Sequence, residues 1–366
     1  MDKKSYSIGA KRIDTMIGDP LVNHWINVVD DRVESITPKP TEREVSDFGE
    51  SCIILPGTVN MHAHLEMSQM SAPIRQPISF TDWIGEVMAF RRRPEYNAEQ
   101  AVWSAMLRSD VLTEYAVVAD IVPNEELSGG FVNTRHPRFL EYLPFIELVA
   151  WRPEQVEAKF ECLHQPAYLS PHAPHTVCPA LLERTVELGV PIAMHLAETP
   201  DEMELLQHQT GALVEMMRQF DPDYDPKKVL LGNRPMDYLK LLAETPKAII
   251  IHGNYLDDEE LRFLAAHRET MTVVYCPRSH AYFGHSPYPL RKMLDFGVRV
   301  TLGTDSLASV PDLSLVNELR FAMAQHPNVP SGTIFRMGTS EGAEFLGFPE
   351  LGKLQPGSPA KFAFFT

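Results

Sequence analysis

Residues 54–64, ILPGTVNMHAH, join an apolar run to two histidines that are separated by one residue. The apolar run predicts a β-strand. Side chains two positions apart on a strand point to the same side, so His62 and His64 can reach one metal ion together. The stretch therefore predicts a strand that ends in a pair of metal ligands.

Seven more apolar segments follow, and amphipathic helix candidates alternate with them. This alternation predicts a parallel sheet with crossover helices, and eight such units are the number of a TIM barrel. The helix candidates include residues 98–113, 178–189, 257–267 and 289–297, the last with Gly297 as its stop signal. We expect an α/β protein with a distorted (β/α)₈ barrel whose further strands lie at residues 115–123, 138–148, 167–175, 190–198, 247–256, 271–279 and 298–306.

A barrel needs about 250 residues, so a chain of 366 has room for a second, smaller unit. Short strand candidates with Gly, Pro and Asp at the breaks occupy residues 11–54, and residues 352–366 return to the same pattern. We expect residues 1–55 and 348–366 to form a small β-sandwich-like domain from both chain ends. Residues 56–347 then form the barrel.

Composition narrows the classes of partner. With 33 basic and 49 acidic residues, the net charge of -16 would repel phosphate backbones and anionic lipids, so nucleic acid and membrane surfaces are not expected partners. No run of about 20 apolar residues predicts a membrane span. Four scattered cysteines suit a reducing compartment, so we expect buried thiols and a cytoplasmic protein.

Five side chains that can bind metal or move protons fall at the carboxyl ends of predicted barrel strands, where barrel enzymes keep their active sites. Imidazoles with one carboxylate suit Zn²⁺, although Fe²⁺, Mn²⁺ or Co²⁺ can also use such ligands. A single histidine is more often structural than functional. The joint placement favours a metal site built from His62, His64, His195, His252 and Asp305.

Four segments in order along the chain resemble the metal-site signatures of the amidohydrolase superfamily, in the branch of chlorohydrolases and nucleoside or nucleobase deaminases. They are PGTVNMHAHLE, PIAMHLAE, IIIHGN and VTLGTDSLAS. The resemblance implies that one divalent metal, most simply Zn²⁺, binds to His62, His64, His195 and Asp305. Binuclear members carry a carboxylated lysine on strand four, which residues 167–175 lack, so a mononuclear site is implied.

The spacing from His195 to Glu198 is similar to the H-x-x-E of the deaminase branch, in which the glutamate shuttles protons. Glu198 as a solvated residue at a helix start is the alternative. By the same resemblance, His252 contacts the hydrolytic water or the substrate. Asp305 can also accept the proton of the water.

Each candidate substrate contact also has a structural interpretation. His172 is the first candidate and His175 a weaker one, although both could be loop histidines held between prolines. Glu66 could bind an amine or support a ligand. Trp83 is a stacking candidate that could equally be core, and Ser306 could cap the next helix.

Two further groups lie near the expected mouth of the barrel. Residues 91–93 are three arginines that we expect to be solvated, unless the substrate carries a carboxylate. His280 and His285, after strand seven, could line the pocket, and the sequence does not rank them.

These features favour hydrolytic deamination of an amino-substituted N-heterocycle of the adenine-nucleoside kind, such as aminodeoxyfutalosine, adenosine or S-adenosylhomocysteine. The alternatives are dechlorination or cyclic-amide hydrolysis at the same site, and a catalytically silent metal-binding protein. Deamination of nucleic-acid bases is disfavoured by the acidic charge and by the absence of a P-C-x-x-C zinc motif. A homodimer is a further expectation, because closed symmetric dimers are common.

Overall fold

The computed structural model describes residues 5–42, 44–108, 111, 114–124, 141–164 and 166–366. Strands are numbered in chain order within these ranges. One sheet contains β1 to β5 and β14, which are Ser5–Ile13, Leu21–Val29, Arg32–Thr37, Val45–Asp47, Ile53–Pro56 and Phe362–Phe365. The other contains β6 to β13, which are Thr58–Ala63, Tyr115–Val122, Glu141–Leu148, Leu169–Pro171, Ile192–Leu196, Ala248–His252, Met271–Tyr275 and Val300–Leu302.

The second sheet is a parallel barrel in which each strand pairs with the next along the chain. Its two edge strands meet at a bridge between Ala63 and Asp305. The backbone carbonyl of His62 accepts hydrogen bonds from the amides of Thr304, at 3.0 Å, and Asp305, at 3.1 Å. The predicted (β/α)₈ barrel is thus confirmed, and its closure lies directly at the predicted metal site.

A buried amide strengthens this closure. The Nδ2 of Asn60 donates to the hydroxyl oxygens of Tyr115 and Thr304, both at 2.8 Å, and its Oδ1 accepts from the Thr304 amide at 3.1 Å. Buried polar groups are stable only when they are paired, so this network fixes the register in which β6 meets the residues after β13. The first and last barrel strands therefore hold one geometry.

Helices follow the strands as the sequence predicts. Gly297 ends one of them with a φ of 85°, the left-handed conformation that glycine adopts easily. The candidate over residues 98–113 contains a helix over Ala98–Met106, and residues 109, 110, 112 and 113 lie outside the described ranges. The helices α1 to α14 are Phe80–Arg91, Ala98–Met106, Val156–Glu161, Pro179–Glu187, Pro200–His208, Ala212–Phe220, Pro226–Val229, Pro235–Leu242, Asp258–Ala266, Pro277–Tyr282, Leu290–Phe296, Leu315–Gln325, Ser331–Met337 and Ser340–Leu346.

The first sheet joins both chain ends, as predicted for the small unit. The C-terminal strand β14 pairs antiparallel with β5, from Phe362 opposite Pro56 to Phe365 opposite Ile53. Along one side of β1, the first part pairs with β4 and the last part with β5, so the sheet divides there. The short strand β4 was not among the predicted segments, because its three residues are all exposed and show no apolar periodicity.

Two expectations from composition can be compared with the structure. The four cysteines form no disulfide; three are buried as expected, but Cys162 is exposed, which corrects the prediction for that thiol. Across the described ranges, no helix is long and apolar enough to cross a membrane.

Candidate active site

Three of the predicted ligands form a cluster at the barrel mouth. His62 and His64 come from the end of β6, and His195 comes from β10 on the far side of the barrel. Their nearest ring nitrogens all lie within 4.8 Å of one another, close enough for one ion to bind all three. The structure thus brings together residues that are more than 130 positions apart in sequence.

The protonation pattern of these rings suits a metal. The Nδ1 of His195 lies 3.1 Å from the carbonyl oxygen of His172, which can only accept, so this nitrogen carries the proton and Nε2 keeps its lone pair. Both ring nitrogens of His62 are buried without a hydrogen-bond partner among the described residues. Unpaired buried nitrogens are costly, and a divalent ion would satisfy one of the two. The cluster therefore fits a metal ion.

Asp305 lies beside this cluster, with Oδ1 at 3.7 Å from the Nε2 of His62. Its other oxygen accepts hydrogen bonds from the hydroxyls of Ser279, at 2.6 Å, and Ser309, at 3.1 Å. Burial raises the pKa of Asp305, but its interaction with His62 and neighbouring histidines outweighs burial and lowers the pKa below the usual value. The carboxylate is therefore ionised, which is the state that a ligand or proton acceptor requires.

Backbone strain is concentrated at this edge of the barrel. Ala197, His252 and Asp305 have φ values of 55°, 69° and 64°, in the left-handed region that residues with a side chain rarely adopt. Such conformations cost about 1–3 kcal/mol each and persist where the surrounding structure holds them. Three of them at the ends of three strands aim the adjacent side chains into the barrel mouth.

Glu198 and His252 face each other next to the histidine cluster, with Oε1 at 3.3 Å from Nε2. The Glu198 side chain is 13% exposed, so it is not the solvated residue of the alternative interpretation. Burial raises the pKa of Glu198 well above its usual value, and the charges of Asp305 and Glu202 add to the rise. Burial lowers the pKa of His252 to about 3. The two shifts therefore favour the protonated form of Glu198 and the neutral form of His252.

The loop that carries Glu198 is fixed by residues that sequence reasoning missed. The carboxylate of Glu202 accepts from the amides of Ala197, at 2.7 Å, and Glu198, at 3.2 Å. Thr199, at the N-cap of α5, accepts from the Glu202 amide. The T-x-x-E spacing is that of a capping box, so this signal was present in the sequence.

His280 and His285 do not line the cavity of the site. The Nδ1 of His280 lies 3.1 Å from the Oδ1 of Asn254, whose Nδ2 donates to the Glu198 carbonyl at 2.8 Å. His285 instead contacts the hydroxyl of Tyr255 at 3.0 Å. His280 therefore supports the loop behind Glu198, which is a different role from the pocket lining considered from sequence.

A cavity of about 380 Å³ opens over the cluster. This volume is within the range of small-molecule sites. Its polar floor includes His64, His195, Glu198, His252 and Asp305. Its walls are mostly apolar and come largely from α1 and α6, with Phe80, Trp83, Ile84, Val87, Met88, Met216, Met217 and Phe220 among them.

The other predicted substrate contacts lie around this cavity, with one exception. His172, His175, Trp83 and Ser306 line it. His172 is oriented by a contact of 2.8 Å between its Nδ1 and the Thr176 hydroxyl. The indole nitrogen of Trp83 donates to the Ala308 carbonyl at 3.2 Å. The same ring packs against an apolar cluster and lines the cavity, so it is both part of the packing and accessible to a ligand.

The exception is Glu66, which is fully buried and does not line the cavity. Its two oxygens accept from Arg91 and from the Tyr96 hydroxyl, both at 2.5 Å, and one lies 4.0 Å from the Nδ1 of His64. Of the two roles considered for Glu66, this geometry favours support of a ligand. The prediction that Arg91 is solvated is wrong, because α1 folds back over the barrel and pairs it with Glu66; Arg92 and Arg93 are exposed.

Arg91→Ala is expected to destabilise the protein by about 3 kcal/mol, because it leaves the buried Glu66 charge without its partner. The matched control is Arg75→Ala, since Arg75 is exposed, and it should change stability by less than about 0.5 kcal/mol. Urea unfolding measures both. Equal stabilities of the two variants would contradict the ion pair as a stabilising contact.

A second buried carboxyl supports the turn after His64. Asp120 accepts from the Leu65 amide and from the Tyr142 hydroxyl, each at 2.8 Å. Burial raises the pKa of Asp120 to about 8, and the charge of Glu66 contributes to the rise, against the two hydrogen bonds. Asp120 is therefore protonated at neutral pH.

Asp120→Asn is expected to remove part of the alkaline loss of stability. The pKa of this carboxyl is about 8 in the folded protein and about 3.9 in the unfolded chain. Its contribution to folding stability is therefore fully present below about pH 3.9 and is lost as the pH rises towards 8. Asparagine can make both hydrogen bonds without titrating. Unfolding from pH 4 to 9 should show the wild type losing up to about 1.4 kcal/mol per pH unit relative to the variant. Parallel curves would contradict a protonated Asp120.

This chain is similar to several known proteins. A family model described as the amidohydrolase family matches residues 151–366. The 5-methylthioadenosine/S-adenosylhomocysteine deaminase of Pyrococcus furiosus is 30% identical over 325 residues, which cover 81% of this chain and 71% of that enzyme.

Solved structures share the fold at low sequence identity. The Helicobacter pylori aminofutalosine deaminase in complex with methylthio-coformycin superposes with a TM-score of 0.79 at 21% identity, covering 98% of this chain and 91% of that one. An adenosine deaminase from Xanthomonas campestris with bound zinc gives a TM-score of 0.69 at 19% identity, with coverages of 98% and 84%.

Proposed function

Since this chain belongs to the amidohydrolase family, we propose that it is a hydrolytic deaminase that releases ammonia from adenine-nucleoside-like substrates. Adenosine, S-adenosylhomocysteine and aminodeoxyfutalosine are the candidate substrates. The relative from Pyrococcus furiosus is named for deamination of such nucleosides, which supports the substrate class.

The position of Glu198 in the cavity is the observation that supports this proposal most directly. A heteroaromatic amine leaves only if the ring nitrogen and the amine gain protons while water adds to the ring carbon. Glu198 lies in the cavity, faces His252 at 3.3 Å, and has a pKa raised well above its usual value by burial. It therefore has the protonation state and the position of a proton donor to a ring nitrogen.

We assign the metal to His62, His64, His195 and Asp305, with Zn²⁺ as the ion that this ligand set suits best. When bound, a divalent ion would lower the pKa of water to about 7, so that a nucleophile is available near neutral pH. The unpartnered nitrogens of His62 and the fixed Nε2 of His195 support this assignment.

Side chains of this protein carry out the proton transfers and position the attacking oxygen. Asp305, which is ionised, accepts the proton that the attacking water gives up, and His252, which is neutral, holds the attacking oxygen. Glu198 gives its proton to the ring nitrogen next to the amine-bearing carbon. The carbon–nitrogen bond breaks as the proton held by Asp305 passes to the amine, which leaves as ammonia. Glu198 regains its proton from the new hydroxyl, and the product is the 6-oxo compound.

A substrate panel tests this proposal. Protein reconstituted with zinc, with its metal content measured, is offered adenine nucleosides, aminopyrimidines, chlorotriazines and cyclic amides, and each reaction is scored for ammonia, chloride and ring opening. We expect ammonia from the adenine nucleosides. Chloride or ring opening alone, or silence from protein that holds one metal, would contradict deamination.

A further inference from the structure

Glu147 is a carboxylate in the cavity that neither the metal cluster nor the proton transfers use. Glu147 lies at the end of β8, the third barrel strand. Leu143 and Phe145 on that strand pack inside the barrel, and the alternation of side chains continues this inward face to Glu147. Its side chain is 12% exposed and lines the cavity.

The carboxylate of Glu147 has no hydrogen-bond donor among the described residues. Its nearest cation is Arg91, with 3.8 Å between Oε2 and Nη1, which is too long for a hydrogen bond. Arg91 is already bonded to Glu66 at 2.5 Å. Among the described residues, the carboxylate of Glu147 therefore keeps its acceptor capacity for a ligand that enters the cavity.

The position of Glu147 indicates which part of a substrate it meets. It lies on β8, which is adjacent to β9, and His172 directly follows β9. The charge of Glu147 raises the pKa of His172, against the larger effect of burial. Glu198, which protonates the ring in the proposed reaction, follows β10 on the other side of β9. A ligand that reaches from Glu198 past His172 therefore meets Glu147 with the group attached to its ring.

We infer that Glu147 recognises the hydroxyl groups of the sugar, and so makes the site selective for ribonucleosides over free bases and dideoxynucleosides. A carboxylate can accept two hydroxyl donors from a vicinal diol, and a carboxylate is a recurrent partner of ribose hydroxyls. This inference rests on the proposed nucleoside substrate. It adds a specificity residue that the reaction itself does not require.

The test compares ligands that differ only in their hydroxyls. Adenosine, 2′-deoxyadenosine, 3′-deoxyadenosine and 2′,3′-dideoxyadenosine are titrated calorimetrically into wild type, Glu147→Gln and the control Glu183→Gln, and ammonia release is measured in parallel. Glu183 is exposed on α4. Loss of hydrogen bonds to a charged group should make the dideoxynucleoside bind wild type at least about 10-fold more weakly than adenosine.

Glu147→Gln should bring adenosine and dideoxyadenosine to within about 3-fold of each other, since the amide cannot accept both hydroxyls. Glu183→Gln should keep the wild-type ratio. Equal binding of the two ligands to wild type overturns the inference without any variant, so it remains testable even if Glu147→Gln fails to fold. Full discrimination retained in a folded Glu147→Gln also overturns it.

A third result would overturn it in favour of another contact. If Glu147→Gln weakens S-adenosylhomocysteine but not 5-methylthioadenosine, and leaves the hydroxyl preference intact, Glu147 binds the amine of the side chain and not the sugar. The readouts separate the two proposals. A Glu147-dependent preference for hydroxyls without ammonia release supports the role of Glu147 and contradicts deamination. Ammonia released equally from ribo- and dideoxynucleosides supports deamination and contradicts the role of Glu147.

Discussion

Glu198→Gln is expected to retain the metal and to lower kcat/KM by at least about 10³-fold, within the range attributed to a positioned proton donor. The amide has nearly the same shape as the carboxyl. Glu198 is also outside the cluster of His62, His64 and His195, so the metal should remain bound. An amide cannot deliver and recover a proton. Metal analysis and initial rates on the best nucleoside measure the two quantities on one sample.

The control for this variant is an exposed glutamate, Glu187→Gln, on α4. It makes the same chemical change away from the cavity and should leave the rate and the metal content as in wild type. A Glu198→Gln protein with a rate within about 10-fold of wild type would contradict the proton-transfer role, because such catalysis contributes at least about 10²-fold. Loss of metal from this variant would instead indicate that Glu198 supports the ligand cluster.

His195→Ala is expected to lose both metal and turnover. Removing a hydrogen-bond partner of a ligand already costs about 10- to 100-fold in metal affinity, so removing the ligand itself should cost more than about 100-fold. Alanine has no side-chain atom that can bind a metal ion in place of the imidazole nitrogen. Dialysis against a weak chelator, followed by metal analysis, measures the affinity, and the same samples give the rate.

His208→Ala is the matched control, since His208 is exposed at the end of α5. It should bind one metal and turn over normally. A His195→Ala protein that holds metal as tightly as His208→Ala would overturn the assignment of the ligand set. A His195→Ala protein that binds metal normally but has lost its activity would instead indicate that His195 contacts the substrate or the water.

Much of the fold was predictable because the barrel strands are short, apolar and regularly alternated with amphipathic helices. The five predicted metal and proton-transfer residues also follow from position, since barrel strands bring their carboxyl ends to one face. Each lies at or just after a strand end in the structure. That regularity made the site visible before any contact was known.

The contacts of Arg91 and Glu66 were not predictable in the same way. Their ion pair depends on how α1 docks over the barrel, and local sequence carries no signal for a long-range pairing of this kind. The Glu202 contacts are different, because a capping-box spacing marks them. The roles of Asn254 and His280 depend on the left-handed turn at His252 and Gly253, which sequence periodicity does not reveal.

The most direct test of the central claim is the product formed from adenosine by zinc-loaded wild-type protein. We predict ammonia and the 6-oxo nucleoside in equimolar amounts, with neither formed by Glu198→Gln that holds the same metal. Fully metal-loaded wild-type protein that leaves adenosine, S-adenosylhomocysteine and aminodeoxyfutalosine unchanged, while it releases chloride from a triazine or opens a cyclic amide, would contradict it.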